Sequence, residues 1–87
     1  MAGYRVLILR PALDELEAID RKMDRRRIVR RIAALAEDPR PRGCEKLSGS
    51  RNRFRIRQGD YRVVYAIDDG QATVTVFRIG HRQDVYR

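Results

Sequence analysis

The alternation of arginine with apolar residues between positions 53 and 57 is the feature that most constrains the fold. Successive side chains of a β-strand point to opposite faces, so this pattern places Arg53, Arg55 and Arg57 on one face. Phe54 and Ile56 then lie on the other face. The stretch therefore predicts a strand of which one side is buried and the other is cationic.

Two more strands are predicted to follow in antiparallel order. Residues 58–60 form a turn of hairpin length, and residues 61–67 are mostly β-branched or aromatic, as strands prefer. Residues 68–70 are the strongest turn signal, because an Asp-Gly pair tolerates the positive φ of tight hairpins. A third strand then covers residues 72–79, after which Gly80 releases the backbone. The second strand places four residues on one face: Tyr61, Val63, Tyr65 and Ile67.

The first half of the chain predicts a strand followed by a first helix. Residues 4–9 are rich in valine, isoleucine and leucine, and the strand they predict joins the later sheet. Pro11 suits the first position of the helix, because its missing N–H would be unpaired there anyway. The apolar stripe of this helix is predicted to consist of Leu13, Leu16, Ile19 or Asp20, and Met23.

A second helix completes a helical hairpin. Asp24 is predicted to be its N-cap, and it should end near Glu37 because Asp38 precedes a proline. Its apolar positions recur at helical spacing: Ile28, Ile32, Leu35 and Ala36. The order of elements predicts one α+β domain over residues 1–87, with the N-terminal strand and helical hairpin packed on a small antiparallel sheet. The other face of the sheet is left for function.

The charge of the chain favours a polyanionic partner or an acidic protein. Net charge is +8, and arginine supplies 18 of the 20 cations. Arginine offers phosphate a planar fork of donors that lysine lacks. Cys44 is the single cysteine and the chain has one histidine, so neither an intramolecular disulfide nor a zinc-site pattern is expected. The short apolar run at the start predicts no signal peptide or membrane span, which favours a soluble cytoplasmic protein.

Several short motifs resemble those of one known family. They are Lys46-Leu47 before a glycine-containing turn, Phe54-Arg55-Ile56-Arg57, residues 59–65, and Gly80-His81-Arg82 followed by Asp84-Val85-Tyr86. Together they resemble the RelE/ParE superfamily of bacterial and archaeal toxins from toxin-antitoxin operons, over nearly the whole chain. In that superfamily the RelE branch consists of ribosome-dependent mRNA endonucleases, whereas the ParE branch acts on DNA gyrase.

The resemblance also implies site residues. The RelE branch carries two basic residues on the first hairpin strand, an arginine on the next strand, and an arginine and a tyrosine near the C-terminus. The matching positions are Arg55, Arg57, Arg62, Arg82 and Tyr86. Arginine stands at positions 55 and 57 where the best-known members have lysine, which keeps the charge but changes the geometry. The complete set favours the nuclease. The alternatives are a gyrase inhibitor and a non-catalytic co-repressor bound to an antitoxin.

The partners implied by the resemblance are a RelB-like antitoxin, the ribosome and mRNA, and operator DNA reached through the antitoxin. Acidic, amphipathic segments of the antitoxin are expected to wrap the cationic surface and to fold as they bind. No cofactor, metal or membrane is expected.

Cleavage of RNA without a metal needs a base for the 2′-OH proton, groups that stabilise the phosphorane charge, and an acid for the leaving 5′-oxygen. Arginines suit the second task, but free tyrosine ionises near pH ~10 and free histidine near ~6.5. Packed cations lower the pKa of a tyrosine, so Tyr86 is the preferred base and His81 the alternative. Arg53 and His81 are assigned to substrate contact. Ion pairs with Asp60, Asp84 or another carboxylate are the structural alternative for Arg62 and Arg82.

Overall fold

The fold is that of a computed structural model, which describes residues 3–81. The elements in chain order are β1 (Arg5–Ile8), α1 (Arg10–Glu17), α2 (Lys22–Ala34), β2 (Glu45–Lys46), β3 (Arg53–Gln58), β4 (Tyr61–Asp68) and β5 (Thr73–His81). The strands form one five-stranded sheet in the order β1-β5-β4-β3-β2. The predicted α+β class is confirmed. The sheet is mixed, because β1 joins β5 in parallel while the other pairs are antiparallel.

Alternation along the strands separates a buried face from an open one, as predicted. On β3, Phe54 and Ile56 are buried, and on β4 the same holds for Val63, Tyr65 and Ile67. Because α1 and α2 cover this face, their apolar residues complete the core. The helical and post-helical contributions are Ala12, Leu16, Ile19, Ile28, Ile32 and Leu35. Tyr61 is half-buried at the margin of the core.

One buried and several part-buried polar contacts fix the position of α1 and of the loop after α2. The Tyr65 hydroxyl donates to the Pro39 carbonyl oxygen at 2.8 Å. The Glu15 carboxylate of α1 accepts from the Ile79 backbone N–H at 2.8 Å and from Arg78, whose Nη2 lies 2.8 Å away. This carboxylate occupies the edge of β5 beyond the last residue paired with β1. It therefore replaces the strand partner that β1 no longer supplies.

The start of α2 differs from the sequence prediction. The helix begins at Lys22 with Arg21 as its N-cap, so Asp24 lies inside the first turn rather than at the cap. A carboxylate is favourable in either place, because both lie at the positive end of the helix dipole. Met23 was predicted on an apolar stripe but is 56% exposed. The reason is that α1 ends at Glu17, and Met23 belongs to the next helix.

Smaller differences concern the ends of elements. Pro11 is the second helical residue of α1, because Leu9 is the N-cap. The α-helical part of α2 ends at Ala34, and a tighter turn continues to Glu37, whose N–H donates to the Ala34 carbonyl. On β5 the strand continues through Gly80 to His81 rather than ending at residue 79, because both residues still pair with β4.

The turn between β4 and β5 is longer than its sequence signal indicated. Four residues, 69–72, connect the strands, and the positive φ of 52° falls on Ala72 rather than on Gly70. The Asp68 carboxylate accepts from the Gln71 N–H at 2.9 Å, which organises this wider turn. Asp69 in turn accepts from the Tyr4 hydroxyl at 2.5 Å and forms an ion pair with Arg40 at 2.9 Å.

Candidate active site on the open face of the sheet

Three of the predicted arginines lie together on the face of the sheet opposite the helices, which we call the open face. Arg57 of β3 is directly opposite Arg62 of β4, and Arg55 lies two residues before Arg57 on the same strand. Like charges directly opposite on neighbouring strands destabilise a sheet. The arrangement lowers the stability of the fold, but it is favourable for binding an anion.

Arg62 is the most enclosed member of this arginine cluster, which we define as Arg55, Arg57 and Arg62. It is 9% exposed, on the central strand β4 between β3 and β5. Its direct partner on β5 is Gly80. A charge held this deeply loses much of its hydration, so its interaction with an incoming phosphate is stronger than at a fully solvated site.

Arg55 joins the cluster to a carboxylate, Glu45, that no sequence motif indicated. Its side chain is 15% exposed and forms an ion pair with Glu45, whose side chain is 61% exposed. Glu45 and Arg55 are directly opposite each other across β2 and β3. Burial lowers the pKa of Arg55 below its usual value, and the neighbouring charges of Arg62 and Arg57 lower the pKa further. The three guanidinium groups are therefore close enough to repel one another.

His81 does not face the arginine cluster. It is directly opposite Tyr61 on β4, and the two rings make an edge contact at 5.7 Å between centroids. Tyr61 points toward the helices, whereas its neighbour Arg62 points to the open face. His81 borders two clefts on the helix side, of about 400 and 380 Å³. The roles of substrate contact and alternative base assigned to His81 stay predictions.

The remaining predicted residues divide into two groups. Arg53 is exposed on the open face, and its guanidinium carbon lies 4.5 Å from the centre of the Phe77 ring. Arg82 and Tyr86 lie outside the described residues, so their contribution stays a prediction.

Within residues 3–81, no group of three or more His, Cys, Asp or Glu side chains is placed to hold a metal ion. Neither α1 nor α2, the two helices of this part of the chain, is long and apolar enough to cross a membrane.

A second surface lies between the two helices. It is a groove of about 510 Å³ with an apolar floor and arginines along one side. The residues that line it are Leu13, Leu16, Glu17, Arg25, Arg26, Val29, Arg30 and Ala33. Val29 is 47% exposed at this groove. An apolar groove bordered by cations fits a partner segment that is apolar on one side and acidic on the other.

Comparison with known proteins identifies the family. The profile of the family described as "ParE toxin of type II toxin-antitoxin system, parDE" matches residues 6–86. Toxin RelE of Mycobacterium tuberculosis is 32% identical over 84 residues, which are 97% of this chain and 87% of that protein. Toxin RelG of the same organism is 50% identical over 34 residues, so that match spans only 39% of either chain.

The fold agrees with this family. The crystal structure of the archaeal RelE-RelB complex from Pyrococcus horikoshii OT3 matches with a TM-score of 0.82 at 28% identity, over 98% of this chain and 100% of that chain. The match includes the helical hairpin and the sheet that carries the arginine cluster. The chain therefore belongs to the RelE/ParE superfamily of type II toxin-antitoxin toxins, on its RelE branch.

Proposed function

We propose that this toxin is an endoribonuclease that cleaves mRNA on the ribosome in the cytoplasm, through attack of the 2′-OH on the adjacent phosphate and without a metal ion. The observation that carries the proposal is the grouping of Arg55, Arg57 and Arg62 on the open face, with Arg62 only 9% exposed. Such a cluster is complementary to a phosphorane, because charge accumulates on the phosphate oxygens in the transition state. Membership of the RelE branch supports the same reaction.

In the proposal each of the three arginines has a different role, which follows from its position. Arg62, enclosed between β3 and β5, is placed to donate to the non-bridging oxygens of the scissile phosphate. Arg57, directly opposite on β3, adds a second cation at the same place. Arg55 contacts the neighbouring backbone phosphate and is oriented by Glu45. In the reaction the 2′-oxygen bonds to phosphorus, the bond from phosphorus to the 5′-oxygen breaks, and a proton moves from the former to the latter oxygen.

Two groups compete for the role of the base. Tyr86 was the sequence prediction, through the resemblance to the family. Glu45 is the carboxylate that is bonded to the arginine cluster, and an ionised carboxylate can accept a proton at neutral pH. His81 is disfavoured, because it shares a face with Tyr61 rather than with Arg62. The 5′-oxygen is protonated by the conjugate acid of the base or by groups of the ribosome.

The partner in the proposal is a RelB-like antitoxin, as in the RelE-RelB complex that the fold resembles. Its acidic, amphipathic segments bind the cationic surfaces of the toxin and order as they bind. The groove between α1 and α2 suits one such helix, because Val29 and its apolar neighbours form the floor and arginines border it. The antitoxin also connects the toxin to operator DNA.

Inhibition of DNA gyrase is the second candidate, because the family profile that matches carries the ParE description. The two functions predict different damage in the cell. A nuclease produces new mRNA ends within translated codons, whereas a gyrase inhibitor leaves mRNA intact and changes plasmid supercoiling. A co-repressor without catalysis produces neither.

The experiment is tightly controlled expression of the full chain, with 5′ ends of mRNA mapped and plasmid supercoiling measured in the same cultures. Arg62→Ala should lower cleavage by two to three decades, the usual loss for one transition-state contact of roughly 3 to 4 kcal/mol. Arg27→Ala, which removes an exposed arginine from α2, is the matched control and should cleave normally. Intact mRNA with altered supercoiling would select the gyrase inhibitor.

A further inference from the structure

A second feature of the open face lies beside the arginine cluster. The guanidinium of Arg53 is over the ring of Phe77, with its carbon 4.5 Å from the ring centre. Arg53 is exposed and Phe77 is half-buried. A cation over an aromatic face is attracted by the ring, so a flexible arginine is held in one place on the sheet.

Phe77 follows Val76, which is buried under the helices, so alternation along β5 points its ring to the open face. Val64 and Tyr65 are adjacent on β4, but they are opposite residues 78 and 76 of β5, so Phe77 is an extra residue with no direct partner. A bulge of this kind bends a strand and changes the direction of a side chain, and bulges are common beside functional sites. Phe77 thus supplies an aromatic ring for Arg53 on β3, two strands away.

The pair is next to the arginine cluster and is not neutralised. Arg53 lies two residues before Arg55 on β3, a separation of roughly 7 Å along a strand on the same face. Arg55 is paired with Glu45, whereas Arg53 is in none of the ion pairs formed within residues 3–81. Its guanidinium, backed by the ring, presents a flat cationic surface to solvent. Nucleobases of single-stranded RNA stack on arginine planes of this kind.

We propose that Arg53 and Phe77 form a stacking platform for a nucleobase of single-stranded RNA, beside the phosphates held by the arginine cluster. The platform rests on the proposed function, because it needs RNA as the substrate. The base lies on the guanidinium, and the ring beneath fixes that guanidinium before RNA arrives. Every base has a flat face, so the platform orients the strand without reading its sequence.

The test compares two uncleavable probes of equal charge, bound to the purified full chain. One is a fluorescent 2′-O-methyl RNA hexamer, and the other is the same hexamer with every nucleobase replaced by hydrogen. The wild-type chain should bind the base-bearing hexamer more tightly. Phe77→Leu and Arg53→Lys should each reduce this preference at least about fivefold, the lower end for loss of one stacked base. Arg27→Lys, on the far side of the protein, should keep the full preference.

Affinity at rising salt separates stacking from charge. Because Arg53→Lys keeps the charge and Phe77→Leu changes none, both variants should keep the wild-type slope of affinity against salt. Thermal unfolding checks that both remain folded. Variants that keep the wild-type preference for the base-bearing hexamer would overturn the platform. So would variants that keep that preference and lose affinity only for an acidic antitoxin peptide.

The outcome is independent of the nuclease test. Absence of mRNA cleavage together with a base preference that Phe77→Leu removes would support the platform and reject only the nuclease. Cleavage by a chain that shows no base preference would reject the platform alone.

Discussion

Ile56 and Arg57 are neighbours on β3 and lie on opposite faces of the same sheet. Ile56 is fully buried under the helices, whereas Arg57 is exposed and directly opposite Arg62. The helix-covered face is apolar and its tyrosine hydroxyl is hydrogen bonded, as stability requires. The open face places like charges opposite each other, which stability opposes. The difference indicates that stability accounts for the covered face but not for the charges of the open face, as the proposed binding role of that face requires.

The largest effect is expected for the carboxylate of the open face. If Glu45 is the base, Glu45→Gln keeps its shape and removes the proton acceptor, so single-turnover cleavage on purified ribosomes should fall about 10²- to 10⁴-fold. The acidic limb of the pH–rate profile should change as well. Stability should barely change, because the ion pair with Arg55 is exposed on the Glu45 side.

Tyr86→Phe is the matched variant for this test, because it keeps the ring and removes the oxygen. A Phe variant that loses the rate while Glu45→Gln cleaves within a few-fold of wild type would assign the base to Tyr86. Glu45 would then be a partner that only orients Arg55.

The next largest effect is the difference in stability loss between substitutions at Ile56 and at Arg57, the two neighbours on β3. Ile56→Ala removes buried methyl groups and leaves a cavity, so the free energy of unfolding should fall by about 2–5 kcal/mol. Arg57→Ala should stay within about 0.5 kcal/mol of wild type, because it removes an exposed charge that opposes another. Urea denaturation measures both values. Equal losses at the two positions would contradict the division of the sheet into two faces.

A smaller effect, dependent on pH, is expected at Tyr65 on the covered face. Tyr65→Phe leaves the Pro39 carbonyl without its donor, which should cost about 1–3 kcal/mol at neutral pH. Burial raises the pKa of Tyr65 well above its usual value. The folded state therefore keeps this proton at a pH where the unfolded chain, with a tyrosine pKa near ~10, has lost it.

This difference in protonation decides how the free energy of unfolding changes with pH. The contribution of Tyr65 to the free energy of unfolding is fully present below pH ~10 and decreases as pH rises above it, by about 1.4 kcal/mol per pH unit. The stability difference between wild type and Tyr65→Phe should therefore shrink in alkali. Parallel curves of stability against pH from 8 to 11 would show that the hydroxyl is not protected from solvent.

The smallest effect is expected at the β4–β5 turn, which belongs to neither face. Ala72 has a φ of 52°, a conformation that costs an alanine about 1–2 kcal/mol. Glycine removes this strain but gains freedom in the unfolded chain, so Ala72→Gly should stabilise by about 0.5 to 1 kcal/mol. Differential scanning calorimetry measures the gain, and cleavage should be unchanged. A loss of stability would mean that the turn relaxes in solution.

The sequence predicted the strands and the open face well because both follow from a period of two. Alternation placed Arg53, Arg55 and Arg57 on one face, and the resemblance to the family added Arg62. The structure brings Arg55, Arg57 and Arg62 together. Helix ends were less predictable, because Asp24 is favourable both as a cap and in the first turn. Glu45 was missed because β2 has only two residues and no pattern of its own. The signal that could have found it is an acidic residue between basic ones, just before an arginine-rich strand.

The bulge and the direction of His81 could not be read from the sequence. Phe77 lies in a continuous run of β-branched and aromatic residues, and the pattern of such a run does not show which residue is extra. Because each residue inserted in a strand reverses the side of those that follow, the face of His81 depends on that bulge. A motif such as Gly80-His81-Arg82 gives the spacing of residues but not which side of the sheet each one occupies.

The place of β5 in the sheet has a consequence for synthesis. β1 is made first, yet its partner β5 is made last among the strands described, and Arg5 pairs with Thr73 across most of the chain. The hairpins of β3, β4 and β5 join neighbouring segments and can form early, whereas the parallel pair must close a long loop and forms late. A nascent chain therefore holds β1 and the helical hairpin without their sheet partner until β5 has been made. The hairpin of β3 and β4 that carries the arginine cluster can therefore form before β1 docks on β5, which gives an antitoxin time to reach the cluster before the sheet is complete.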